Sequence, residues 1–506
     1  MKPSLELFEL IKSLTKSEKR YFRINASAQK GSKNYMELFD VIDSLSTYDE
    51  ELIRKKYRKE KFVKNFTFNK NYLSGLIFKS LNSYSNKNSI DAKLSSILGS
   101  CKILFEKALM SRYFKTVQTG KELAEKYEMF TYLLNFLELE RQLTKKEDIP
   151  KKNMIELYDK EVEVIKKMLN INEYNRIVSE LFQIQRREGV IRDKATGEKV
   201  EKILDRLESD NESETKSLIA KERLLFAKYL ANEITGNFDA AFTHNQKRFI
   251  LISKNEKVFQ KFIYDNRKVS MLSLISSAVS CGKIQVAKNY LKKYIKLYGK
   301  PGRFELRSET IYYSIRLNEV LNNNNKLKLE QTFLNQVEKT LLKYKGKIII
   351  NLYNSLYYDM SRYHFINANY EDALKMINLL FESKFLKHTV YLEAHCRMLN
   401  LLIHYKIGNH KLLGHLIAAT VKFLKSRNKF YKTEVAVINC LKKNIKTVDS
   451  GIVKSNFQLL KKELTSLNKN VYESNINIYF NYLKWSDNEM KNLINQKQDY
   501  VQPLES

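Results

Sequence analysis

The chain of 506 residues holds only 14 glycines and 4 prolines, where average usage would supply roughly 35 and 25. So little punctuation excludes the glycine-rich loops of a dinucleotide-binding enzyme, the dense turns of a β-sandwich array and a low-complexity linker, and it favours long helices. Cysteine is also scarce: Cys101, Cys281, Cys396 and Cys440 stand at least 44 residues apart and form no C-x-x-C. That spacing argues against a zinc ribbon, a redox motif or a disulfide framework and fits a reducing compartment. Long apolar runs are absent, since Ile348-Ile349-Ile350 and Leu399 with Leu401-Leu402-Ile403 are broken within a few residues, far short of the roughly 20 a membrane span needs. The first residues, with Lys2 and Glu6, do not read as a signal peptide, so a cytoplasmic location without integral membrane association is expected.

Catalytic signatures are missing as well. Gly120-Lys121, Gly282-Lys283 and Gly346-Lys347 lack both the upstream glycine and the following hydroxyl of a phosphate-binding loop, and there is no G-x-S-x-G, H-E-x-x-H or kinase set. Six of seven histidines, His364, His388, His395, His404, His410 and His415, gather in one stretch, but no pair lies at i,i+4, so packing is expected of them rather than metal ligation. The chain reads as non-enzymatic, with no cofactor.

What is abundant is positive charge. Lysine and arginine number 89 against 57 acids, a formal net charge of +32. Such an excess goes beyond what solubility requires, costs self-repulsion and points to an anionic partner. Between Leu52 and Lys79 lie Arg54, Lys55, Lys56, Arg58, Lys59, Lys61, Lys64, Lys70 and Lys79 against the single acid Glu60, interleaved with Tyr57, Phe62, Phe66, Phe68, Tyr72 and Phe78. Cations that neutralise phosphates beside aromatics that stack on bases suit single-stranded nucleic acid; aromatics at these spacings also pack inward and leave the lysines merely solvated. From Asn266 to Phe304 there is no acid, and Lys288, Lys292 and Lys296 recur every four residues, a ridge of like charge that suggests an anionic ligand or a solvated face. A third stretch, Lys411 to Asn470, carries thirteen basic and three acidic residues.

Apolar spacing predicts short helices from Leu5 to Leu14, from Lys16 behind a Thr15/Glu18 capping box, around Tyr35–Leu45, from Glu50 behind a Thr47/Glu50 box, and over Asn69–Leu81. The polar run from Ser83 to Ser89 closes a basic N-terminal unit, residues 1–88. A first hairpin segment, 89–207, then ends in a polar joint, 208–216, with a loop expected at 193–197. Residues 217–485 read as repeats and 486–506 as a frayed tail. The order of the fourth and fifth helices allows a helix-turn-helix DNA reader with Asn69, Lys70 and Asn71 facing bases.

Four segments share one pattern: Gly236-Asn237-Phe238-Asp239-Ala240-Ala241, Gly282-Lys283-Ile284-Gln285-Val286-Ala287, Ala368-Asn369-Tyr370-Glu371-Asp372-Ala373 and Gly408-Asn409-His410-Lys411-Leu412-Leu413. A small residue opens each, and a small or aliphatic one follows five positions on. This resembles the inter-helix turn of the tetratricopeptide repeat, with longer units, only one tryptophan, Trp485, and no closing prolines. The resemblance implies an all-α fold, a right-handed α-solenoid of antiparallel helical hairpins behind an N-terminal helical unit. It also implies an interaction scaffold. Charge favours RNA or a ribonucleoprotein bound through Arg54, Lys55, Lys56, Arg58, Lys61, Lys64, Lys288, Lys292 and Lys296. The family's habit of gripping peptides makes an acidic peptide or protein in the groove the alternative, and a DNA-binding regulator is a third.

Overall fold

A computed structural model describes residues 5–27, 34–86, 89–143, 154–209, 215–259, 266–298, 303–322, 328–344, 350–383 and 386–499. These residues are helical with no strand among them, as the scarcity of glycine and proline requires. They form two compact units, Met1–Glu161 and Val162–Ser506.

The first unit begins with α1 (Glu6–Ser13), α2 (Lys16–Ser27), α3 (Asn34–Ser44), α4 (Glu50–Lys56), α5 (Lys61–Lys64) and α6 (Phe66–Asn86). Helix α2 starts as its capping box predicts: the Thr15 N–H donates to Glu18 at 2.7 Å and the Glu18 N–H to the Thr15 hydroxyl at 3.2 Å. At α4 the expected box does not form. Asp49 is the cap, accepting from the Leu52 N–H at 3.0 Å, because Glu50 is drawn away to Arg54 and Lys70. These helices enclose their own core of Ile11, Phe22, Leu38, Phe39, Ile42, Phe62, Phe66, Leu73 and Ile77. The polar run at Ser83 does not end α6, which continues to Asn86, and Ser89 caps α7 (Ile90–Glu106). Helices α8 (Met110–Lys126) and α9 (Phe130–Leu143) follow, then α10 (Met154–Glu188), which continues into the second unit.

The second unit continues with α11 (Lys194–Ser209), α12 (Leu218–Thr235), α13 (Phe238–Lys254), α14 (Glu256–Phe259), α15 (Asn266–Ser280), α16 (Ile284–Tyr298), α17 (Arg303–Asn322) and α18 (Gln331–Lys343). It closes with α19 (Ile350–Ile366), α20 (Tyr370–Phe381), α21 (Val390–Ile407), α22 (His410–Ser426), α23 (Lys432–Asn444), α24 (Ser450–Leu467), α25 (Val471–Ser474) and α26 (Tyr482–Asp499). The loop expected at 193–197 is instead the first turn of α11, capped by Asp193, which accepts from the Thr196 N–H at 2.8 Å. The tail expected to fray is helical to Asp499, and residues 500–506 lie outside the described residues.

One turn recurs and explains the four-segment pattern. Gly236, Gly282, Ala368 and Gly408 all have positive φ, between 62° and 86°, so each helix ends in a left-handed residue. The N–H that follows reaches back to the carbonyl five residues earlier, as in Asn237 to Asn232 at 2.9 Å and Lys283 to Ala278 at 2.8 Å. Five residues after the turn, Ala241, Ala287, Ala373 and Leu413 are all buried and seat the next helix on the last. The same turn, bond and buried fifth residue occur at Ala108/Tyr113, Glu128/Leu133 and Asn428/Thr433. The sequence pattern misses these three because the turn residue is not small or the fifth position is large.

Candidate nucleic-acid interface

In the first unit the basic run leaves the chain on a kinked, solvent-facing edge. Lys55, Lys56, Arg58, Lys59, Lys61 and Lys64 are exposed, while Ile53, Phe62 and Phe66 between them turn inward. Arg54 is committed to the fold: it pairs with Glu50 at 2.9 Å and lies 4.6 Å from the Phe66 ring. Lys70 also pairs with Glu50, at 2.7 Å. Burial would raise the Glu50 carboxyl, but Lys70 and Arg54 outweigh it and hold the group below its ordinary value.

The aromatics divide in the same way. Phe62 and Phe66 are core, whereas Phe68, Tyr72 and Phe78 are 67%, 47% and 53% exposed. Phe68 and Tyr72, one turn apart on α6, lie parallel, with centroids 6.3 Å apart and planes 6° apart. They form a flat, accessible platform on α6, the helix that begins two residues after Lys64. Two residues suggested as DNA readers are turned to structural use: Asn69 donates to the Phe62 carbonyl at 2.9 Å, and Lys70 is the Glu50 partner. That leaves Asn71 exposed.

In the second unit the acid-free sequence around α16 is not acid-free in space. Lys288 pairs with Glu319 of α17 at 2.6 Å, Lys283 with Asp239 and Arg267 with Glu256, and Lys268 lies 4.9 Å from the Tyr298 ring. Lys292 and Lys296 are exposed with no ion pair among the described residues. The ridge of three thus reduces to two unpaired cations. The third basic stretch is likewise spent in part, with Lys461 paired to Asp487 at 2.7 Å and Lys429 buried against Glu188.

No protein-family model, curated protein or solved structure matches this chain.

Sequence reasoning missed a buried polar cluster in the second unit. Arg192, which follows α10, donates to Glu434 of α23 at 3.1 Å and to Glu473 of α25 at 3.3 Å, and all three are buried. Glu473 also accepts from the Lys432 and Thr433 N–H groups at 3.0 and 3.2 Å, capping α23. Nearby, the Val190 N–H donates to the Tyr479 hydroxyl and Asn475 to the Ile191 carbonyl, both at 2.8 Å. His395 stacks on Tyr479 with centroids 3.9 Å apart. Burial, with Arg192 and Lys429 adding to it, pushes the His395 pKa well below its ordinary value, and burial lowers that of Lys429 despite Glu188. The partners lie more than 240 residues apart in sequence, so no local pattern announces them. Residues 190–192 and 473–479 therefore occupy the surface presented by Tyr391, His395 and Glu434. Among the described residues no group of three His, Cys, Asp or Glu side chains converges to hold a metal; His364, His395 and His404 are packed inside. No described helix is long and apolar enough to cross a membrane.

Proposed function

We propose that this protein is a non-enzymatic helical scaffold that binds single-stranded RNA, alone or within a ribonucleoprotein, through its N-terminal unit. The observation that carries this reading is that one unit exposes both a parallel Phe68–Tyr72 pair on α6 and, in the segment just before that helix, six cations from Lys55 to Lys64. A pair of large aromatics in water is unfavourable by itself, and aromatic faces next to cations are what a strand with stacked bases and phosphates engages. The tetratricopeptide-like reading of the fold rests on the seven left-handed turns with a buried fifth residue, and a cytoplasmic setting rests on four free thiols.

Fluorescence anisotropy with labelled RNA 10-mers tests it. Log affinity should fall with log salt with a slope of about −2 to −4, as for three to six phosphate contacts on a single strand. Salt-independent binding, or none at 50 mM salt, rejects the reading.

A further inference from the structure

The exposed face of α6 does not end at its platform. Tyr72, Leu76, Lys79 and Ser83 follow at steps of four, three and four, so they continue one stripe along the helix. The stripe runs into a cleft between α2 and α6 of about 200 Å³, lined by Phe22, Asn25, Ala26, Leu76, Lys79 and Ser80. Platform and cleft are contiguous: Tyr72 packs edge-on against Tyr35 at 5.9 Å, and the Tyr35 hydroxyl donates to the carbonyl of Ala26 in the cleft wall at 2.9 Å.

The lining has two kinds of surface. Phe22, Ala26 and Leu76 are apolar and largely buried, giving flat faces. Asn25, Ser80 and Lys79 have no side-chain hydrogen bond or ion pair among the described residues, although Ser80 is only 8% exposed. The Ser80 hydroxyl lines the cleft with no protein partner among the described residues and is open to water or to a ligand edge there. At the rim Ser83 is held by Tyr21 at 3.0 Å, and among the described residues no carboxylate lines the cleft. The volume is below the roughly 300 Å³ at which drug-sized pockets begin and accommodates one heteroaromatic ring. An apolar-faced ring with a polar edge, carried on an anionic backbone, is a nucleobase of a single strand.

We propose that this cleft is a base-reading slot: a strand stacked on Phe68 and Tyr72 inserts one base between α2 and α6, where Asn25 and Ser80 hydrogen-bond its edge and Lys79 meets the adjoining phosphate. The slot rests on the RNA-binding reading and adds base selectivity to it. Along the helix, Tyr72 and Ser80 are eight residues, about 12 Å, apart, so platform and slot engage neighbouring nucleotides of one strand.

The test uses the full chain and fluorescein-labelled rA10, rC10 and rU10, read by anisotropy, with thermal melts to verify each variant's fold. The wild type should prefer one base by about tenfold or more, within the range of a good edge contact. The double variant Asn25→Ala/Ser80→Ala should compress that preference below about threefold while still binding, and Lys79→Ala should weaken all three oligomers alike. Equal wild-type affinities, or an unchanged preference in the double variant, overturn the slot and leave RNA binding standing. If no oligomer binds, or if Phe68→Ala/Tyr72→Ala binds as wild type does, the underlying reading fails and the slot with it.

Discussion

The two units share an excess of lysine and arginine, but their basic stretches use it differently. Around α16 and α23 the cations meet acids from other helices, as in Lys288–Glu319, Arg267–Glu256, Lys429–Glu188 and Arg192–Glu434. Along α4 and α5 the run from Lys55 to Lys64 faces water with Glu60 as its one acid. Net charge therefore says little until each cation's partner is known: around α16 and α23 much of the charge holds helices together, and along α4 and α5 it is left available. Paired charges bear on stability and unpaired ones on association, so changes in the two units should separate into those classes.

The sharpest break would come from Arg192→Met. Two glutamates, Glu434 and Glu473, would remain buried without their shared cation, and removing one partner of such a pair typically costs about 3–5 kcal/mol. Chemical denaturation should show the second unit destabilised by that order. A shift under 1 kcal/mol would mean that water already reaches the site.

In the first unit the corresponding change should move stability little and weaken association. Phe68→Ala with Tyr72→Ala removes side chains that are largely exposed apart from the Tyr72–Tyr35 edge contact, so stability should fall by no more than about 1.5 kcal/mol. RNA affinity should fall by about 1–3 kcal/mol for each lost stack, read by the same anisotropy titration. A larger loss of stability would place this pair in the fold rather than in the interface.

Acid should also distinguish the units. His395, His404 and His364 have lowered pKa values through burial, so the unfolded chain takes up protons near pH 6.5 before the native state does. Stability then falls as pH drops below about 6.5, by up to about 1.4 kcal/mol per pH unit for each histidine. Burial raises Glu233 and Asp359, which bind protons first in the native state and work in the opposite direction. His395→Phe keeps an aromatic against Tyr479 and removes only the histidine's share. Between pH 7 and pH 5.5 it should lose less stability than the wild type, and equal losses would deny His395 a part.

The helical class, the early helices and the four glycine- or alanine-opened turns were legible because they are local: capping boxes, apolar spacing and a left-handed residue all act within a few positions. The aromatics from Phe62 to Phe78 could be singled out but not sorted, since Phe66 and Phe68 point about 200° apart on α6 and only packing against α2 and α3 decides which is core. The Lys288–Lys292–Lys296 ridge looked uncompensated because Glu319 stands 31 residues away. The Arg192 cluster was invisible for the same reason on a longer scale. Asn25 and Ser80 form a cleft only once α2 lies on α6, and neither residue belongs to a motif.

The smallest expected effect is one on which the two units should agree. The recurring turn needs positive φ, which costs an L-residue about 1–2 kcal/mol, and part of that returns when glycine's extra freedom in the unfolded chain is counted. At Gly282 an added Cβ meets nothing within 4 Å, so Gly282→Ala isolates backbone strain and should cost about 0.5–1 kcal/mol. Ala368 and Glu128 already sit at φ 62° and 51°, so Ala368→Gly in the second unit and Glu128→Gly in the first should each gain a similar amount in thermal or urea denaturation. A gain in one unit only would mean that the shared turn is borne differently by its surroundings. Matched gains would establish one backbone device used throughout a chain whose two surfaces have diverged.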